Sequence, residues 1–421
     1  MREPLGRRPL DPLLARLDAG VPRVSHGGSP SEHLKILHLI TTLEPGGTER
    51  LVQTLAVQQQ RLGCQVEVAV LREPAPWAQA FHAAGLPVHH LHLQHKVSPG
   101  AFLRLRRLIR RGDYHVLHTH LDLADLYGPF AAARRDGVPP VVISTRHNTD
   151  AWRRRRSWKR MPFLIWERAA HRRAAVSIAV SAAVRDFLVR EEGLSGERFV
   201  IIPNGIDLEP FRRLVEPAAA WGRLVARVPA LSGLDRRDVT AIGFVGRLAD
   251  QKGVDLLLEA VTQCGRRLVL VLIGEGPCAG ALRERAERAD LAGRVFFAGL
   301  LDQVPDLLAA FDLFAFPSRW EGFGLAVVEA MAAALPVVAA RVDGLREVVV
   351  DGVTGRLVPP GDSRSLAAAL EAMAAHPEEA RRMGAAGRQR AFSRFGAPAM
   401  AQAVLDVYRL ALRGVQEGGA L

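Results

Sequence analysis

The stretch LFAFPSRWEGFGLAVVEAMAAA, residues 313–334, decides the fold. Its first four residues are apolar and end at Pro317, which predicts a short buried strand. The alanine-rich run that follows Gly324 is typical of a helix. Gly322 and Gly324 let backbone N–H groups of the loop approach a ligand closely. Because the start of the helix adds free N–H groups and a positive dipole end, this strand–loop–helix unit predicts a phosphate site.

Two carboxylates flank the predicted site. Glu321 lies in the loop, and Glu329 follows about one turn into the helix, near the face that looks back at the loop. Carboxylates are poor neighbours for a bare phosphate, but they accept hydrogen bonds strongly from the hydroxyls of a sugar or ribose. The pair therefore favours a phosphate that carries hydroxyl-rich groups on both sides. An ordinary strand–helix unit with one solvated acid and one capping acid is the structural alternative.

The composition indicates a globular chain with two domains, or three. Its 421 residues are 48% apolar, which is sufficient for large cores without disulfides or metals. The formal net charge of +12 favours an acidic partner, namely nucleic acid, an anionic membrane surface or a phosphorylated substrate. Cys64, Cys264 and Cys278 are far apart, which predicts free thiols in a reducing compartment. No secretory signal or membrane-spanning run is visible, so we expect a soluble cytoplasmic protein.

The first half of the chain predicts a doubly wound parallel sheet. Residues 34–40 form an apolar strand, a helix runs through Leu55 and stops at Gly63, and residues 66–71 form the second strand. A strand–helix–strand unit with short links is a right-handed crossover between parallel strands. Further strands are predicted at 86–91, 115–119, 140–144, 176–180 and 198–202.

The second half of the chain predicts another sheet of the same kind. A turn-rich sequence at Pro203–Asp207 ends the first series, and a new series begins at Thr240. Its strands are predicted at 240–246, 268–273, 294–298, 312–316 and 336–340, each a helix apart. The predicted divisions are a flexible extension at 1–32, a first domain at 33–207, a connection at 208–238, a second domain at 239–393 and a C-terminal helix at 394–421.

Loops after the first strand of each domain also carry candidate ligand groups. Arg247 and Lys252 lie just beyond Gly246, at the strand end where doubly wound sheets bind ligands. Two cations there would neutralise a diphosphate and stabilise it as a leaving group. Two solvated loop charges are the alternative. Gly46 and Gly47 follow the first strand of the chain, where they allow a ligand to approach the backbone or only form a tight turn.

His118 and His120 point the same way on their predicted strand, and Asp122 follows them. Such a group could bind a metal ion. It resembles the His-x-His-x-Asp motif of metallo-β-lactamase-like hydrolases, but Leu123 stands where those enzymes carry their next histidine. No second cluster of histidine and aspartate follows, so we expect no metal site. A histidine that is only part of the core is the alternative for His120.

The chain resembles the retaining glycosyltransferases of family 4. The resemblance rests on the two acids around Gly-Phe-Gly, which have seven residues between them. It spans roughly residues 35–412, with most of its specificity between 240 and 360. It implies the GT-B fold, an α/β architecture with two Rossmann-like domains facing across a cleft and a C-terminal helix that returns to the N-terminal domain. The matching segments beyond the two acids are Pro336–Ala340, Asp343-Gly344, Glu347 and Asp351–Gly355.

The resemblance also implies roles for individual residues. Glu321 would contact the donor sugar, Glu329 the ribose and Leu301 the base, while His120 would lie near the anomeric carbon. The implied catalytic residues are His120, Arg247, Lys252 and Glu321, and the implied donor-binding residues are Gly46, Gly47, Gly246, Gly274, Leu301, Gly322, Phe323, Gly324, Leu325 and Glu329. Candidate acceptor residues are Thr48, Glu49, Arg146 and His147, although Arg146 and His147 could equally belong to a structural loop.

Residues 151–173 combine many arginines with Trp152, Trp158 and Trp166. A basic amphipathic segment with tryptophan suits an anionic membrane surface. A helix packed in the core with a solvated arginine face is the alternative. Basic residues with aromatics also suit nucleic acid, but no nucleic-acid motif accompanies them, so no nucleic-acid partner is expected.

The resemblance implies a retaining glycosyltransferase that uses a UDP- or GDP-sugar. Its acceptor would be a hydroxyl of a glycan or lipid-linked molecule in cell-surface polysaccharide or glycolipid synthesis, and the enzyme could be peripheral on the inner face of the membrane. No Asp-x-Asp motif occurs, so we expect no catalytic metal and no other cofactor. The alternatives are a nucleotide-sugar epimerase of the same fold, and a non-catalytic basic protein that binds membrane or nucleic acid.

Overall fold

The computed structural model describes residues 34–95, 97–132, 139–149 and 161–416, with side chains described as far as residue 414. The predicted extension at 1–32 lies outside these ranges. The chain forms two compact units. The first unit holds the residues up to Gly205 together with those from Ala397 onward, and the second unit holds Ile206–Gly396. Residues 208–238, for which we predict a connection, fall within the second unit.

The first unit is built on a seven-stranded parallel sheet with the order β3-β2-β1-β4-β5-β6-β7. This is the order of a doubly wound sheet. The chain first adds β2 and β3 on one side of β1, and it then returns to add β4 to β7 on the other side. The strands are β1 (Lys35–Ile40), β2 (Gln65–Val70), β3 (Val88–His90), β4 (Val116–His120), β5 (Val141–Arg146), β6 (Val176–Ala179) and β7 (Phe199–Ile201).

Within the described ranges, six α-helices connect these strands. They are α1 (Gly47–Arg61), α2 (Ala78–Ala83), α3 (Pro99–Gly112), α4 (Asp122–Ala131), α5 (Met161–Arg173) and α6 (Ala182–Glu192). Ser98 and Ser181 cap α3 and α6 by accepting a backbone N–H with their side-chain oxygens. Buried apolar residues of β1, β4, α3 and α4 form the core on one face of the sheet.

The second unit repeats the architecture with a six-stranded parallel sheet of order β10-β9-β8-β11-β12-β13. All residues of β9, β11 and β12 are buried, as expected of parallel strands that are covered on both faces. The strands are β8 (Thr240–Val245), β9 (Leu268–Ile273), β10 (Val295–Gly299), β11 (Leu313–Phe316), β12 (Val337–Ala340) and β13 (Arg356–Val358).

The helices of the second unit lie before the first of these strands, between them and after the last. They are α7 (Pro217–Arg227), α8 (Val254–Gln263), α9 (Ala279–Ala286), α10 (Val304–Leu308), α11 (Leu325–Ala332), α12 (Leu345–Val348), α13 (Ser363–Ala375) and α14 (Pro377–Arg394). A short 3-10 helix at Asp250–Lys252 precedes α8. The last helix, α15 (Ala397–Gln416), returns to the first unit and packs against α1.

The predicted strands are confirmed with end shifts of one or two residues, and the C-terminal helix is confirmed with its buried Met400, Val404, Leu405 and Tyr408. The predicted return of this helix to the first domain is also confirmed. The sequence did not predict β13, which has only three residues and begins with an exposed arginine. Cys64, Cys264 and Cys278 are free thiols, as expected. Within the described residues, no helix is both long enough and apolar enough to cross a membrane.

A buried histidine joins α5 to the edge of the first sheet. His171 is 2% exposed, stacks on Phe199 and places its Nδ1 2.9 Å from the hydroxyl of Ser177. Its Nε2 lies 3.1 Å from the carbonyl oxygen of Ser195. Burial, reinforced by the charge of Arg146, lowers the pKa of His171 to about 4. The ring is therefore neutral in the folded protein at neutral pH.

We expect this histidine to make the protein less stable in acid. Unfolding releases a ring with an ordinary pKa near 6.5, so the unfolded chain takes up a proton that the folded chain does not bind. The contribution of His171 to the free energy of unfolding is fully present above pH 6.5. It falls by about 1.4 kcal/mol per pH unit as the pH drops toward 4. Urea titrations between pH 7.5 and 4.5 measure the slope.

The His171→Asn variant should lose less stability over this range than the unchanged protein, whatever its stability at pH 7.5. His82→Asn is the matched control, because His82 is an exposed histidine of the same domain. Equal slopes for the His171→Asn variant and the unchanged protein would contradict the prediction.

Candidate active site

Loops at the carboxyl edge of the second sheet pack closely, and at Gly274 there is no room for a side chain. The N–H of Gly246 donates to Ile273, and the N–H of Gly274 donates to Gly299, so the loops after β8, β9 and β10 are joined by backbone hydrogen bonds. A Cβ on Gly274 would lie 2.0 Å from the carbonyl oxygen of Gly246. The predicted donor residues Gly246 and Gly274 are therefore in direct contact.

The loop between β11 and α11 is shaped by Gly324, which starts the helix. Its φ of +90° is in the region that L side chains rarely adopt, and a Cβ there would lie 2.4 Å from Leu345. The carbonyl of Gly324 accepts from Val327 at 3.0 Å, which begins the helix. Residues Glu321 to Gly324 of this loop are buried, and Leu325, at the start of the helix, is half-buried.

Lys252 and Glu321 form an ion pair, although 69 residues separate them in the chain. Their side chains are 16% and 11% exposed, so water screens the pair only in part. The ammonium group also lies 5.0 Å from the centroid of the Phe316 ring at the end of β11. The structure therefore brings together the predicted diphosphate-binding lysine and the predicted sugar-binding glutamate in one charged pair.

Arg247 lies on the same edge of the sheet, just after β8, and its side chain is exposed. Its guanidinium has no hydrogen-bond or ion-pair partner within the described ranges, whereas the nearby Arg319 is held by Asp250 and Asp255. An exposed, uncommitted cation beside a helix start and a glycine loop suits an anionic ligand.

The remaining predicted donor residues lie around this loop. Glu329 is buried at 9% exposure in the second turn of α11. Phe323 is buried and packs edge-on against Phe395, with 5.4 Å between ring centroids, which anchors the loop to the end of α14. Leu301 is half-buried just after β10, and Leu325 begins α11. These residues are at the carboxyl edge where such sheets bind ligands.

The corresponding loop of the first domain begins at Gly46, which precedes α1. Glu49 is buried in the first turn of that helix, and its carboxylate accepts from the hydroxyl of Thr42 at 3.0 Å. A Cβ on Gly46 would lie 2.4 Å from a Glu49 carboxylate oxygen, so the acid folds back over the glycine. Gly47 is exposed and Thr48 half-buried. Among these candidates, Glu49 has a carboxylate that already accepts a hydrogen bond from another side chain, that of Thr42.

Four histidines occupy the carboxyl edge of the first sheet. His38 of β1 is in register with His118 of β4, whose ring lies 4.2 Å from that of His120 between centroids. His38 Nδ1 is 2.9 Å from His120 Nε2, and His120 Nδ1 is 3.1 Å from His147 Nε2. Three polar residues extend this contact network, which we call the histidine chain: His147, His120, His38, Gln59, Tyr408, His118 and Thr145.

The links beyond the histidines are short. His38 Nε2 is 2.7 Å from the side-chain oxygen of Gln59, whose amide nitrogen is 3.2 Å from the Tyr408 hydroxyl. That hydroxyl is 2.5 Å from His118 Nδ1, and His118 Nε2 is 2.6 Å from the Thr145 hydroxyl. Tyr408 lies in α15, so the C-terminal helix supplies one member of a network on the first sheet.

Burial holds these rings in the neutral form. It lowers the pKa of His38 to about 4 and that of His147 to about 3, and it lowers the pKa values of His118 and His120 well below the ordinary range. The nitrogens of His38, His118 and His120 lie within 4.8 Å of one another, a spacing compatible with a metal ion. All six of these ring nitrogens already have a hydrogen-bond partner in the protein, so the cluster is saturated by its own contacts.

Arg146, a candidate acceptor residue in the sequence, is buried in the first unit. It is 4% exposed, with its Nη1 3.1 Å from Asp125 and 3.0 Å from Glu167. A buried arginine held between two acids stabilises the packing of α4, α5 and β5, because losing either partner would leave a charge without compensation. Arg146 does not line the cavity beside His147. We therefore do not carry it forward as an acceptor-binding residue.

Five residues of the histidine chain were not among the predicted site residues: His38, Gln59, His118, Thr145 and Tyr408. A histidine inside the apolar strand of residues 34–40 was the available signal for His38, since a buried imidazole needs partners. Gln59 and Tyr408 carried no such signal, because their contact depends on the packing of α15 against α1.

Comparisons with known proteins agree with this geometry. The model of glycosyl transferases group 1 matches residues 235–390, and that of glycosyltransferase family 4 matches residues 45–210. The chain is 32% identical to alpha-maltose-1-phosphate synthase of Mycobacterium tuberculosis over 86% of its length and 95% of the relative. It is 31% identical to D-inositol 3-phosphate glycosyltransferase of Kineococcus radiotolerans, over 93% of the chain and 95% of the relative.

The fold is also that of solved structures. HepE of Anabaena, determined in complex with UDP-glucose, superposes with a TM-score of 0.78 at 23% identity, covering 90% of this chain and all of that one. Two doubly wound domains with a C-terminal helix that returns to the first make up the GT-B fold. With that fold and these relatives, the chain belongs to glycosyltransferase family 4.

Proposed function

We propose that this protein is a retaining glycosyltransferase that takes a sugar from a nucleoside-diphosphate sugar and transfers it to a hydroxyl group of a glycan or lipid-linked acceptor. Membership of the family makes it an enzyme that transfers sugars. The donor class, the retention of configuration and the acceptor are the proposal. The observation that carries it is the Lys252–Glu321 pair beside the uncommitted Arg247 at one edge of the second sheet.

The charges of this edge suit a sugar diphosphate. Arg247 offers a positive charge that no protein group neutralises within the described ranges, and the start of α11 offers backbone N–H groups. The diphosphate gains negative charge as the sugar leaves, so a fixed guanidinium stabilises the transition state more than the bound substrate. Sugar hydroxyls would donate to Glu321, which in the free protein is occupied by Lys252.

Lys252 would then take a second role. Its ammonium group lies between the Glu321 carboxylate and the Phe316 ring, a position from which it can also face a phosphate oxygen. Glu329, lower in α11, would accept hydrogen bonds from the ribose hydroxyls. The structure of HepE with UDP-glucose supports a UDP-sugar, and a GDP-sugar is the other donor that we propose.

Retention requires the acceptor to bond on the face that the diphosphate leaves. The acceptor oxygen forms a bond to the anomeric carbon as the carbon–oxygen bond to the diphosphate breaks. The proton of the acceptor hydroxyl passes to the departing phosphate oxygen. Neither domain needs to supply a nucleophile for this exchange, and the role of Arg247 and Lys252 is to hold the charge that develops.

A phosphorylated or polyol acceptor is compatible with the names of two relatives, an alpha-maltose-1-phosphate synthase and a D-inositol 3-phosphate glycosyltransferase. The rival enzyme of the same fold is a nucleotide-sugar epimerase, which would need no acceptor. Analysis of the products distinguishes them, since a transferase yields an acceptor with one added sugar and an epimerase yields an isomer of its substrate. A non-catalytic basic protein would yield neither.

Membrane attachment is a further part of the proposal. Residues 151–160, the most basic part of the predicted membrane segment, lie outside the described residues. The rest of that segment is α5, where Met161, Ile165 and Trp166 are 49–58% exposed while Glu167 and Ala170 face the core. An apolar stripe on a helix that follows a basic segment suits the interface of an anionic membrane.

We expect Arg247→Ala to lower the turnover number by roughly a hundredfold, the usual loss when one group that stabilises the transition-state charge is removed. Initial rates with saturating UDP-sugar measure the effect. Arg266→Ala is the matched control, because Arg266 is an exposed arginine at the opposite edge of the same sheet, before β9. An unchanged turnover number in Arg247→Ala would remove the diphosphate role of this residue.

We expect turnover to persist in excess EDTA. The two cations at the β8 edge would provide the positive charge that a divalent ion provides in metal-dependent transferases. Rates with and without EDTA, and after dialysis into metal-free buffer, make the measurement. Complete loss of activity that added Mg²⁺ or Mn²⁺ restores would show that a metal is required.

We expect the protein to sediment with phosphatidylglycerol vesicles at low salt and to be released as salt rises, because surface charges are screened beyond a Debye length of about 10 Å at 0.1 M. Replacing both Ile165 and Trp166 by serine should weaken this binding several-fold. Leu214→Ser is the control, since Leu214 is an exposed apolar residue of the second domain, at 60% exposure. Equal binding to phosphatidylcholine vesicles would argue against this surface.

A further inference from the structure

The histidine chain has an internal direction that follows from counting hydrogens. A neutral imidazole carries one N–H and one bare nitrogen, so it donates on one side and accepts on the other. If the Gln59 oxygen accepts from His38 Nε2, His38 Nδ1 must accept from His120 Nε2. His120 Nδ1 must then accept from His147 Nε2, which leaves His147 Nδ1 without a hydrogen.

The same count continues on the other side of Gln59. Its amide nitrogen donates to the Tyr408 hydroxyl, which then donates its own hydrogen to His118 Nδ1. His118 Nε2 donates to the hydroxyl of Thr145, and that hydroxyl keeps its hydrogen to donate onward. Every ring in the chain is then the Nε2–H tautomer, and all the hydrogen bonds run one way, from His147 to Thr145.

The opposite direction is also consistent within the chain, and the two directions differ at His147. Rotating the Gln59 amide by half a turn would reverse each bond and put a hydrogen on His147 Nδ1. This nitrogen is buried and has no hydrogen-bond partner within the described ranges. A buried N–H without an acceptor is costly, whereas a bare nitrogen loses less. With a bare nitrogen at His147, the hydrogen bonds of the chain run from His147 to Thr145.

Both ends of the chain reach the same cavity. His147, Thr145 and His120 line a small space at the carboxyl edge of the first sheet, together with Asn204 and apolar residues of α1 and α15. It has room for roughly one or two water molecules, or for one polar group of a larger ligand. His147 is one end of the chain and Thr145 is the other, so both ends belong to residues that line this cavity.

From this geometry we propose that His147 Nδ1 and the Thr145 hydroxyl together bind one hydroxyl group of a ligand, which donates to the histidine and accepts from the threonine. An alcohol has one hydrogen to give and lone pairs to receive another, so it satisfies both ends at once. A ketone, an ether or a carboxylate cannot, because none of them donates. His38, Gln59, Tyr408 and His118 are positioning residues that hold the two ends in complementary states.

This inference rests on the proposed function only for the origin of the hydroxyl, which would belong to the acceptor substrate. The two can fail separately, because the tautomers are observed without turnover. If the tautomers were as described and no sugar were transferred, only the proposed function would fall. If transfer occurred while His147 carried its hydrogen on Nδ1, only this inference would fall.

The tautomers are measured on the full chain labelled with ¹⁵N-histidine. Long-range ¹H–¹⁵N spectra at pH 7 distinguish Nε2–H, Nδ1–H and the imidazolium, and single His→Asn variants assign the signals. We expect His38, His118, His120 and His147 to appear as Nε2–H tautomers. An Nδ1–H or a charged ring at His147 would overturn the proposal.

The link through the C-terminal helix is tested by Tyr408→Phe. Without the hydroxyl, His118 Nδ1 loses its donor, so its ¹⁵N signal should shift and its single tautomer should give way to a mixture. The signals of His147 and His120 should remain those of Nε2–H. Tyr127→Phe is the matched control, since this buried tyrosine of the same domain bonds to Ser98 and not to the histidine chain. An unchanged His118 in Tyr408→Phe would mean that Tyr408 only packs.

Hydroxyl binding is tested by titrating glycerol into the labelled protein, with 1,2-dimethoxyethane as a probe that has oxygens but no hydroxyl. Glycerol should move the Nδ1 signal of His147 upfield, in the direction of a hydrogen-bonded nitrogen, and the ether should not. Thr145→Val should abolish the glycerol shift, whereas Thr54→Val, at a half-buried position on α1, should not. Equal shifts with both probes, no shift with glycerol, or a shift that survives in Thr145→Val would each overturn the inference.

Discussion

Parallel pairing of β8 with β9 and β11 is the constraint on which the proposed donor site depends. It brings the carboxyl ends of strands from distant parts of the sequence to one edge, and their loops must then satisfy their backbone groups against each other. The close contact of Gly274 with the carbonyl oxygen of Gly246 is one result of that demand. Where backbones lie this close, little side-chain bulk separates them from a ligand, and the charges that remain at the edge come from a few named residues.

Charge at this edge is divided between a balanced pair and a free cation. Lys252 and Glu321 neutralise each other in a partly buried position, which avoids leaving either charge without a partner. Arg247 keeps its charge and its exposure. The first domain differs, since its polar edge is made of neutral histidines whose charge is suppressed by burial. The carboxyl edge of the second sheet therefore carries charged side chains, and that of the first carries a hydrogen-bonded group of neutral histidines.

The sequence was most informative where a signal is local. The apolar run at 268–273 predicts β9 without error, and Gly322 and Gly324 mark the loop before α11, because each depends on neighbours a few residues away. No local pattern predicts the Lys252–Glu321 pair or the contact of Gln59 with Tyr408, because these join residues 69 and 349 positions apart. Arg146 shows the opposite error, since its position after a strand suggested a ligand-binding residue while burial between Asp125 and Glu167 makes it part of the core.

The return of α15 to the first domain has a consequence for how the protein is made. All residues of the second unit have been synthesised once Gly396 has been added, but the first unit still lacks the helix that covers α1. His118 and Gln59 are synthesised 290 and 349 residues before Tyr408, whose hydroxyl is their hydrogen-bond partner. The second domain can therefore fold on the ribosome before the first is complete, although the first is translated earlier. Until α15 is made, the apolar face of α1 is uncovered in the nascent chain, and a chaperone could bind there.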